Sequence, residues 1–574
     1  MPLTFDILFK NGNFWTGDPQ NPSANYVVCK DGRLASIGKE RISTEEGNAK
    51  KVIDLRGHFA MPGFIDSHVH LMMGGASLHE IDLRNAKDDR EFAEKIGDYA
   101  KSHGTKWITG GNWDHESWKS PKVSEGDSLS RDPDLRRDKR LPTKELIDKF
   151  TPSTPVFLSR YDMHMALVNS YVLRLAGINK DTHDPPGGVI VRDEQGEPTG
   201  ILKDAAREMV LRLVPEPSLD DRIDSAKAAL KHANKLGVTS VHDISHLQDM
   251  KTYEELRRRG ELTARIYSIL PITEYKNLVS HGIMVGSGDE WIKTGALKAF
   301  ADGSLGSGTA WFFEPYDDDK TNYGIASDVM LSGELEKWAI NADRNYLQLA
   351  IHAIGDKAVN RVLDLFEKIQ KENPPRERRF RIEHAQHIRE DDFARFKKLN
   401  VIASVQPYHC IDDGRWALEK IGEHRAKRTY AFKRFFDENV SIAFGTDWAV
   451  APLNPLEGIY AAVTRATLDG KNPKGWVPEQ KISVGQALRA YTYNGAFASF
   501  SENQKGSLEV GKLADLVVLS NNPFSEGQRL DSSRSFGEVN PEEIKNIKVL
   551  LTVVGGKIVF ADKEFAEHYE PAAV

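Results

Sequence analysis

The run GFIDSHVH places His68 and His70 two residues apart. In a strand, alternate side chains share a face, so both imidazoles point the same way at a spacing that suits two ligands on one metal ion. A bare His-x-His also occurs as two ordinary surface or core histidines. Here Pro62–Gly63 opens the run and Asp66 precedes the pair. The same placement then recurs: His352 ends LQLAIHAIGD, His384 ends FRIEHAQ and Asp447 ends SIAFGTDW. One ionisable group at a strand exit is commonly a satisfied polar residue, but a repeated set is harder to explain that way. Imidazole together with carboxylate suits zinc or another borderline divalent metal.

Lys298, in GALKAFADGS, lies among apolar neighbours where a lone ammonium is costly to bury. A desolvated lysine has a lowered pKa and reacts as a neutral amine. Addition of carbon dioxide would make a carbamate with two oxygens able to bridge two metals. The other account of Lys298 is an ion pair with an acid such as Asp302, on the same strand face. Lys203, in GILKDAA, is a competitor that ranks lower because it falls in an inserted stretch.

Positioning these groups requires strands that end at one place. The middle of the chain alternates short apolar runs (GFIDSHVH, GVTSVHDI, ARIYSIL, GALKAFAD, LQLAIHAIG, RIEHAQ, VIASVQP, SIAFGTDW) with amphipathic stretches such as AVNRVLDLFEKIQK and DDFARFKKL. That alternation predicts an α/β fold, a (β/α)8 barrel over residues 61–499, whose active sites sit at the C-terminal strand ends. Between the first and second runs, about residues 80–215 form an insertion with its own strand-like pieces and a hairpin, GGVIVRDEQGEPTGIL, expected over the barrel mouth. The charged segment EGDSLSRDPDLRRDKR reads as solvated loop. Both ends of the chain read as short strands, with turns at Asn11–Gly12, Asp31–Gly32 and Gly555–Gly556. We therefore expect one small β-sandwich built from residues 1–60 and 500–574.

The 574 residues are 40% hydrophobic and 28% charged, a globular profile with room for a large barrel and a smaller unit. A formal net charge of -7 gives no reason to expect nucleic acid or an anionic membrane as partner. Cys29 and Cys410 form no C-x-x-C pair, which argues against a disulfide framework or a thiolate zinc cage and makes a reducing, cytoplasmic compartment the default. No secretory signal pattern and no long apolar run is seen, so no membrane span is expected.

In their order, VIDLRGHFAMPGFIDSHVHL, WITGGNWDHESW, VFLSRYDMHMALVNS, LKAFADGSLGSGTA, AIHAIGDKAV, RIEHAQHI, VIASVQPYH, FGTDWAV and KGSLEVGKLADLVVLS resemble the amidohydrolase superfamily. More narrowly they are similar to its family-3 branch, which includes N-substituted formamide deformylases. The resemblance implies a barrel with a β-sandwich from both termini and one or two divalent ions such as Zn2+. It implies that His68, His70 and Asp447 hold one metal, that His352 and His384 hold a second, and that Lys298 bridges them as a carbamate. A homodimer is the family-level expectation. Gly308 stands where relatives often carry arginine. Gly355 stands where adenosine-deaminase-type relatives carry a catalytic glutamate, which lowers the case for purine deamination.

The expected reaction is hydrolysis of an amide or related non-peptide C–N bond in a small molecule, with Asp447 taking a proton from water and returning it to the leaving nitrogen. Ring opening of a cyclic amide, deamination, or a non-catalytic regulatory or binding role on the same fold are the alternatives. Trp113, Arg160, His164 and Gln406 are candidate substrate-pocket residues; the other account is that they hold the insertion to the barrel. His387 and His409 are candidates for supporting the ligands, and Asp356 reads as a helix cap.

Overall fold

The computed structural model describes residues 4–39, 48–103, 106–118, 141–524 and 541–566. The segment EGDSLSRDPDLRRDKR, expected to be loop, lies outside the described residues. Eight strands build one parallel sheet: β1 (Phe64–Val69), β2 (Val238–Ile244), β3 (Arg265–Pro271), β4 (Ile292–Phe300), β5 (Gln348–Ala353), β6 (Arg381–His384), β7 (Ile402–Val405) and β8 (Ile442–Phe444). Each pairs with the next in chain order. A parallel bridge between Val69 and Trp448 brings the ends together. Across that seam the Asp447 N–H donates to the His68 carbonyl at 2.7 Å, and the His70 N–H to the Trp448 carbonyl at 2.5 Å. The sheet is thus a nearly closed barrel, as the alternation of apolar and amphipathic runs predicts.

Each strand is short and apolar because it is covered on both sides; all six residues of β5 are buried. The connecting helices carry apolar residues on one stripe. In Asp356–Glu372 the buried positions include Ala358, Val359, Val362, Leu363, Phe366 and Ile369, the i, i+3, i+4 spacing of a core-facing helix. Leu219–Lys235, which returns the chain to β2, starts from a capping box of Ser218 and Asp221.

Between β1 and β2 the insertion forms its own six-stranded sheet, in the order Gly188–Arg192, Pro198–Asp204, Met165–Val168, Phe157–Arg160, Gly110–Trp113 and Ile81–Asp82. Its first two strands are the expected hairpin. The chain ends meet in another sheet, where Phe59–Pro62 pairs antiparallel with Leu516–Leu519, which pairs with Val549–Val554. A four-stranded sheet of N-terminal strands packs on it through a shared cluster that includes Phe9, Phe14, Leu516, Val518 and Leu551. Asp31–Gly32 and Gly555–Gly556 turn between paired strands. Asn11–Gly12 does not: Phe5–Lys10 and Asn13–Trp15 pair into different sheets, so this turn carries the chain from one layer to the other.

Candidate metal centre

The closure of β1 on β8 decides what faces what. Asp66 ties the two strands together, its carboxylate accepting from the Thr446 hydroxyl at 2.6 Å and from the Thr446 N–H at 2.9 Å. Gly445 makes the approach possible, since a Cβ there would stand 2.5 Å from the His68 nitrogen. Asp447 then leaves the strand with φ of 62°, and His384 leaves β6 with φ of 71°, a region that non-glycine residues seldom adopt. Such strained exits cluster at functional sites.

The histidines are held by different partners, and each partner leaves one ring nitrogen for the centre. His68 Nδ1 is 2.5 Å from Glu383 Oε2, in full burial. Glu383 also accepts from Ser404 Oγ at 2.7 Å and lies against Arg381, whose Nε is 2.7 Å from Oε1. Against burial, the Arg381 guanidinium and His68 hold Glu383 well below the usual carboxylate range. His384 Nδ1 meets Gln406 Oε1 at 2.8 Å, and His352 Nε2 meets the Gly303 carbonyl at 3.0 Å. These acceptors select the tautomers: His68 and His384 present Nε2, and His352 presents Nδ1.

Asp447 lies at the middle of the cluster. Its Oδ1 is 3.4 Å from His68 Nε2 and 3.3 Å from His70 Nε2, and its Oδ2 is 3.2 Å from His409 Nε2. Against burial, His68 first, then the hydrogen bond from His409 and the nearby His70 keep its pKa well below the ordinary value. His68 is lowered to about 4, by burial first and Lys298 second. His68 Nε2 and Asp447 Oδ1 are both buried without a hydrogen-bond partner, and they face each other. Buried polar atoms in this state call for an explanation, and a nitrogen and an oxygen donor aimed at one point fit a borderline divalent cation.

The tightest group of ligand atoms belongs to His68, His384 and Asp447, all within 4.8 Å of one another. The expected division set His384 with His352 at one ion and His68, His70 and Asp447 at another, and the trio of His68, His384 and Asp447 spans both groups. Neighbouring strand ends converge around a small barrel: the His384 ring centre is 5.0 Å from that of His68 and 4.5 Å from that of His352. Lys298 is buried, and burial lowers it to about 8 while Glu383 and Asp447 oppose the shift. It does not pair with Asp302, whose oxygens accept from the backbone N–H groups of Trp311, Ile354 and Gly355. Lys203, the competitor, donates to the Ser307 carbonyl at 2.8 Å.

A cavity of about 550 Å³ opens onto the centre, lined from the barrel by His70, Lys298, His352, His384 and Asp447, and from the insertion by Arg160, His164 and Asp204. Of the expected pocket residues, Arg160 and His164 therefore face it. The Arg160 guanidinium is already engaged, with Nη1 2.6 Å from Asp162 Oδ2 and Cζ 4.4 Å from the Tyr161 ring centre. Trp113 is packed in the core of the inserted sheet, with Nε1 donating to the Leu158 carbonyl at 2.8 Å; strand alternation turns its indole inward. Gln406 stands behind His384 as its acceptor. His409 supports Asp447, whereas His387 bonds Thr429 at 2.8 Å. Asp356 is the first helical residue rather than the cap and accepts from the Phe313 N–H. Gly308 has φ of 70°, a conformation that suits glycine better than arginine.

Glu383, Arg381 and Asp204 escaped the sequence reading. A signal for the first two existed: in Arg381–Ile382–Glu383 the charged residues alternate with an apolar one, which puts both on one face of a buried strand.

A model of the amidohydrolase family matches residues 51–560. Protein LONG AFTER FAR-RED 3 of Arabidopsis thaliana is 37% identical over 97% of this chain and 92% of its own. N-substituted formamide deformylase of Arthrobacter pascens is 25% identical over 96% of this chain and 97% of its own. The crystal structure of an uncharacterized metal-dependent hydrolase from Pyrococcus horikoshii OT3 superposes with a TM-score of 0.71 at 29% identity, covering 90% of this chain and 98% of that one. The chain belongs to the amidohydrolase family of metal-dependent hydrolases.

Proposed function

We propose that this protein hydrolyses an amide or related non-peptide C–N bond of a small molecule, using zinc held by His68, His70, His384 and Asp447, with His352 and Lys298 beside it. The observation that carries this reading is the pair of unpartnered buried atoms, His68 Nε2 and Asp447 Oδ1, which face each other behind the cavity that Asp447 lines. A divalent ion there supplies Lewis acidity, lowering the pKa of water from about 15.7 toward about 7 and polarising a carbonyl. Asp447 accepts the proton of the attacking water and returns it to the leaving nitrogen. His409 holds its Oδ2 and keeps the carboxylate in place through both transfers. Lys298, with no carboxylate within 4.0 Å among the described residues and its pKa brought down to about 8, meets the conditions for carbamate formation. The similarity to an N-substituted formamide deformylase makes N-formyl and N-acyl amides the first substrates to try. In this reading residues 61–499 are the catalytic barrel, and residues 1–60 with 500–574 are its β-sandwich support.

Metal analysis of the purified protein, followed by a screen of N-formyl, N-acyl and aminoacyl-type amides on zinc-loaded enzyme, tests the proposal. The expected result is bound divalent metal and turnover of at least one class. Asp447→Asn should lower turnover by about 10²–10⁴-fold with the fold retained, and a normal rate in that variant would remove Asp447 as the proton carrier. A second reading, a regulatory or binding protein on the same fold, has one observation in its favour: the plant relative similar along nearly the whole chain bears a name that specifies no reaction. Protein that takes up no divalent metal and shows no turnover after zinc addition would decide for that reading.

A further inference from the structure

Asp204 is the residue of the cavity wall that ordinary packing explains least. It ends the strand Pro198–Asp204 with φ of 46° and ψ of -121°, a backbone conformation suited to glycine. Its Oδ1 is 2.6 Å from His164 Nδ1, and its Oδ2 is buried without a partner. The Asp204 N–H donates to the His164 carbonyl at 2.9 Å, continuing the ladder in which Met165 pairs with Lys203. His164 is thus clamped at backbone and side chain by one strained residue. With Nδ1 committed to the carboxylate, the other ring nitrogen, Nε2, is left for the cavity that His164 lines.

The pair is also placed against the centre. The His164 ring centre is 5.1 Å from that of His352, and His352 Nε2 bonds the Gly303 carbonyl. Gly303 is pressed against the same aspartate: a Cβ there would stand 3.0 Å from Asp204 Oδ1. A second anchor joins the turn that carries His164 to the loop after β4. Asp162 accepts from Ser304 Oγ at 2.5 Å and Ser307 Oγ at 2.8 Å. The insertion is therefore registered on the barrel at the point where His164 enters. Strain held by surrounding structure at a cavity wall is a mark of function, and a carboxylate behind an imidazole fixes ring orientation.

We infer that His164 contacts the substrate directly, its Nε2 hydrogen-bonding the amide group on the His352 side of the centre, and that Asp204 is its positioning residue. This deepens the proposed amide hydrolysis and rests on it. The insertion then completes the active site as well as covering it, and it supplies a polar contact borne by its own sheet, at the cavity that Asp447 also lines.

The test uses zinc-loaded full-length protein and acetohydroxamic acid, a small amide analogue, with binding measured by calorimetry and zinc content measured beside it. Wild-type protein is expected to bind the probe. His164→Ala should bind it about tenfold more weakly, the equivalent of one lost hydrogen bond, with zinc content unchanged. His164→Gln should keep part of the affinity. Asp204→Ala should weaken binding too, and the double variant should bind no worse than His164→Ala, because Asp204 acts through His164. Equal affinity in wild type and His164→Ala overturns the inference while leaving the hydrolase reading intact, and additive losses in the double variant overturn the positioning role of Asp204. No binding by zinc-loaded wild type overturns the underlying amide-site reading and this inference with it.

Discussion

At the scale of single residues, the centre depends on a group that touches no substrate. Glu383 accepts from His68 Nδ1 and Ser404 Oγ and neutralises Arg381, all in full burial. Removing its charge leaves Arg381 buried without its ion partner, a loss of about 3–5 kcal/mol for pairs of this kind, and frees the His68 ring to turn. Glu383→Gln should therefore lower the melting temperature and weaken zinc binding by about 10–100-fold, read by competition with a chelator. An unchanged zinc affinity would show that His68 is oriented by something else. That the candidate ligand residues stand at strand ends was legible in the sequence, because each ends an apolar run whose length and neighbours mark it as a strand. Glu383 was not, because the residue it orients lies 315 positions away and nothing local to RIEH shows that distance closing.

At the scale of elements, the seam between β1 and β8 is the critical junction, since it sets His68 and His70 against Asp447. Gly445 is its narrowest point: an added Cβ would stand 2.5 Å from the His68 nitrogen and 2.7 Å from its Cβ. Backbone cannot yield as a flexible side chain does, and overpacking of this sort costs about 1–3 kcal/mol. Gly445→Ala should lower the melting temperature and reduce zinc uptake together, measured on the same preparation. Loss of neither would mean that the seam is looser than its geometry indicates. The strand and helix pattern that builds this junction could be read in advance from apolar periodicity. The turn at Asn11–Gly12 could not, because an Asn-Gly pair fits a tight hairpin and a passage between sheets equally well, and long-range pairing selects between them.

At the scale of the whole molecule, the β unit made from both chain ends is locked under the barrel by charge as well as by apolar packing. Arg265 at the start of β3 forms a bidentate pair with Asp515, at 2.7 and 2.9 Å, and Lys505 reaches Ser240 Oγ at 2.8 Å. Burial, with Arg265 adding to it, pushes Lys505 down to about 7. In the unfolded chain a lysine titrates near about 10.4. Between these values the unfolded state binds more protons than the folded one, so this residue makes stability rise with pH from about 7 to about 10. Relative to Lys505→Met, the melting temperature of the wild type should climb across that range. Parallel curves for the two proteins would show that Lys505 keeps its proton when folded.

From the order of residues alone follow the barrel, its insertion and the positions of the ionisable groups at strand ends, because periodicity and run length are local properties of a chain. The same residues do not disclose which ring nitrogen faces the centre, that His384 joins His68 and Asp447, or that Trp113 turns inward while His164 turns toward the cavity. Those outcomes depend on partners brought from distant segments: Glu383 for His68, Gln406 for His384, Gly303 for His352 and Asp204 for His164. A hydrogen bond orients a side chain only when both ends are in place, and barrel closure and docking of the insertion are what bring them there.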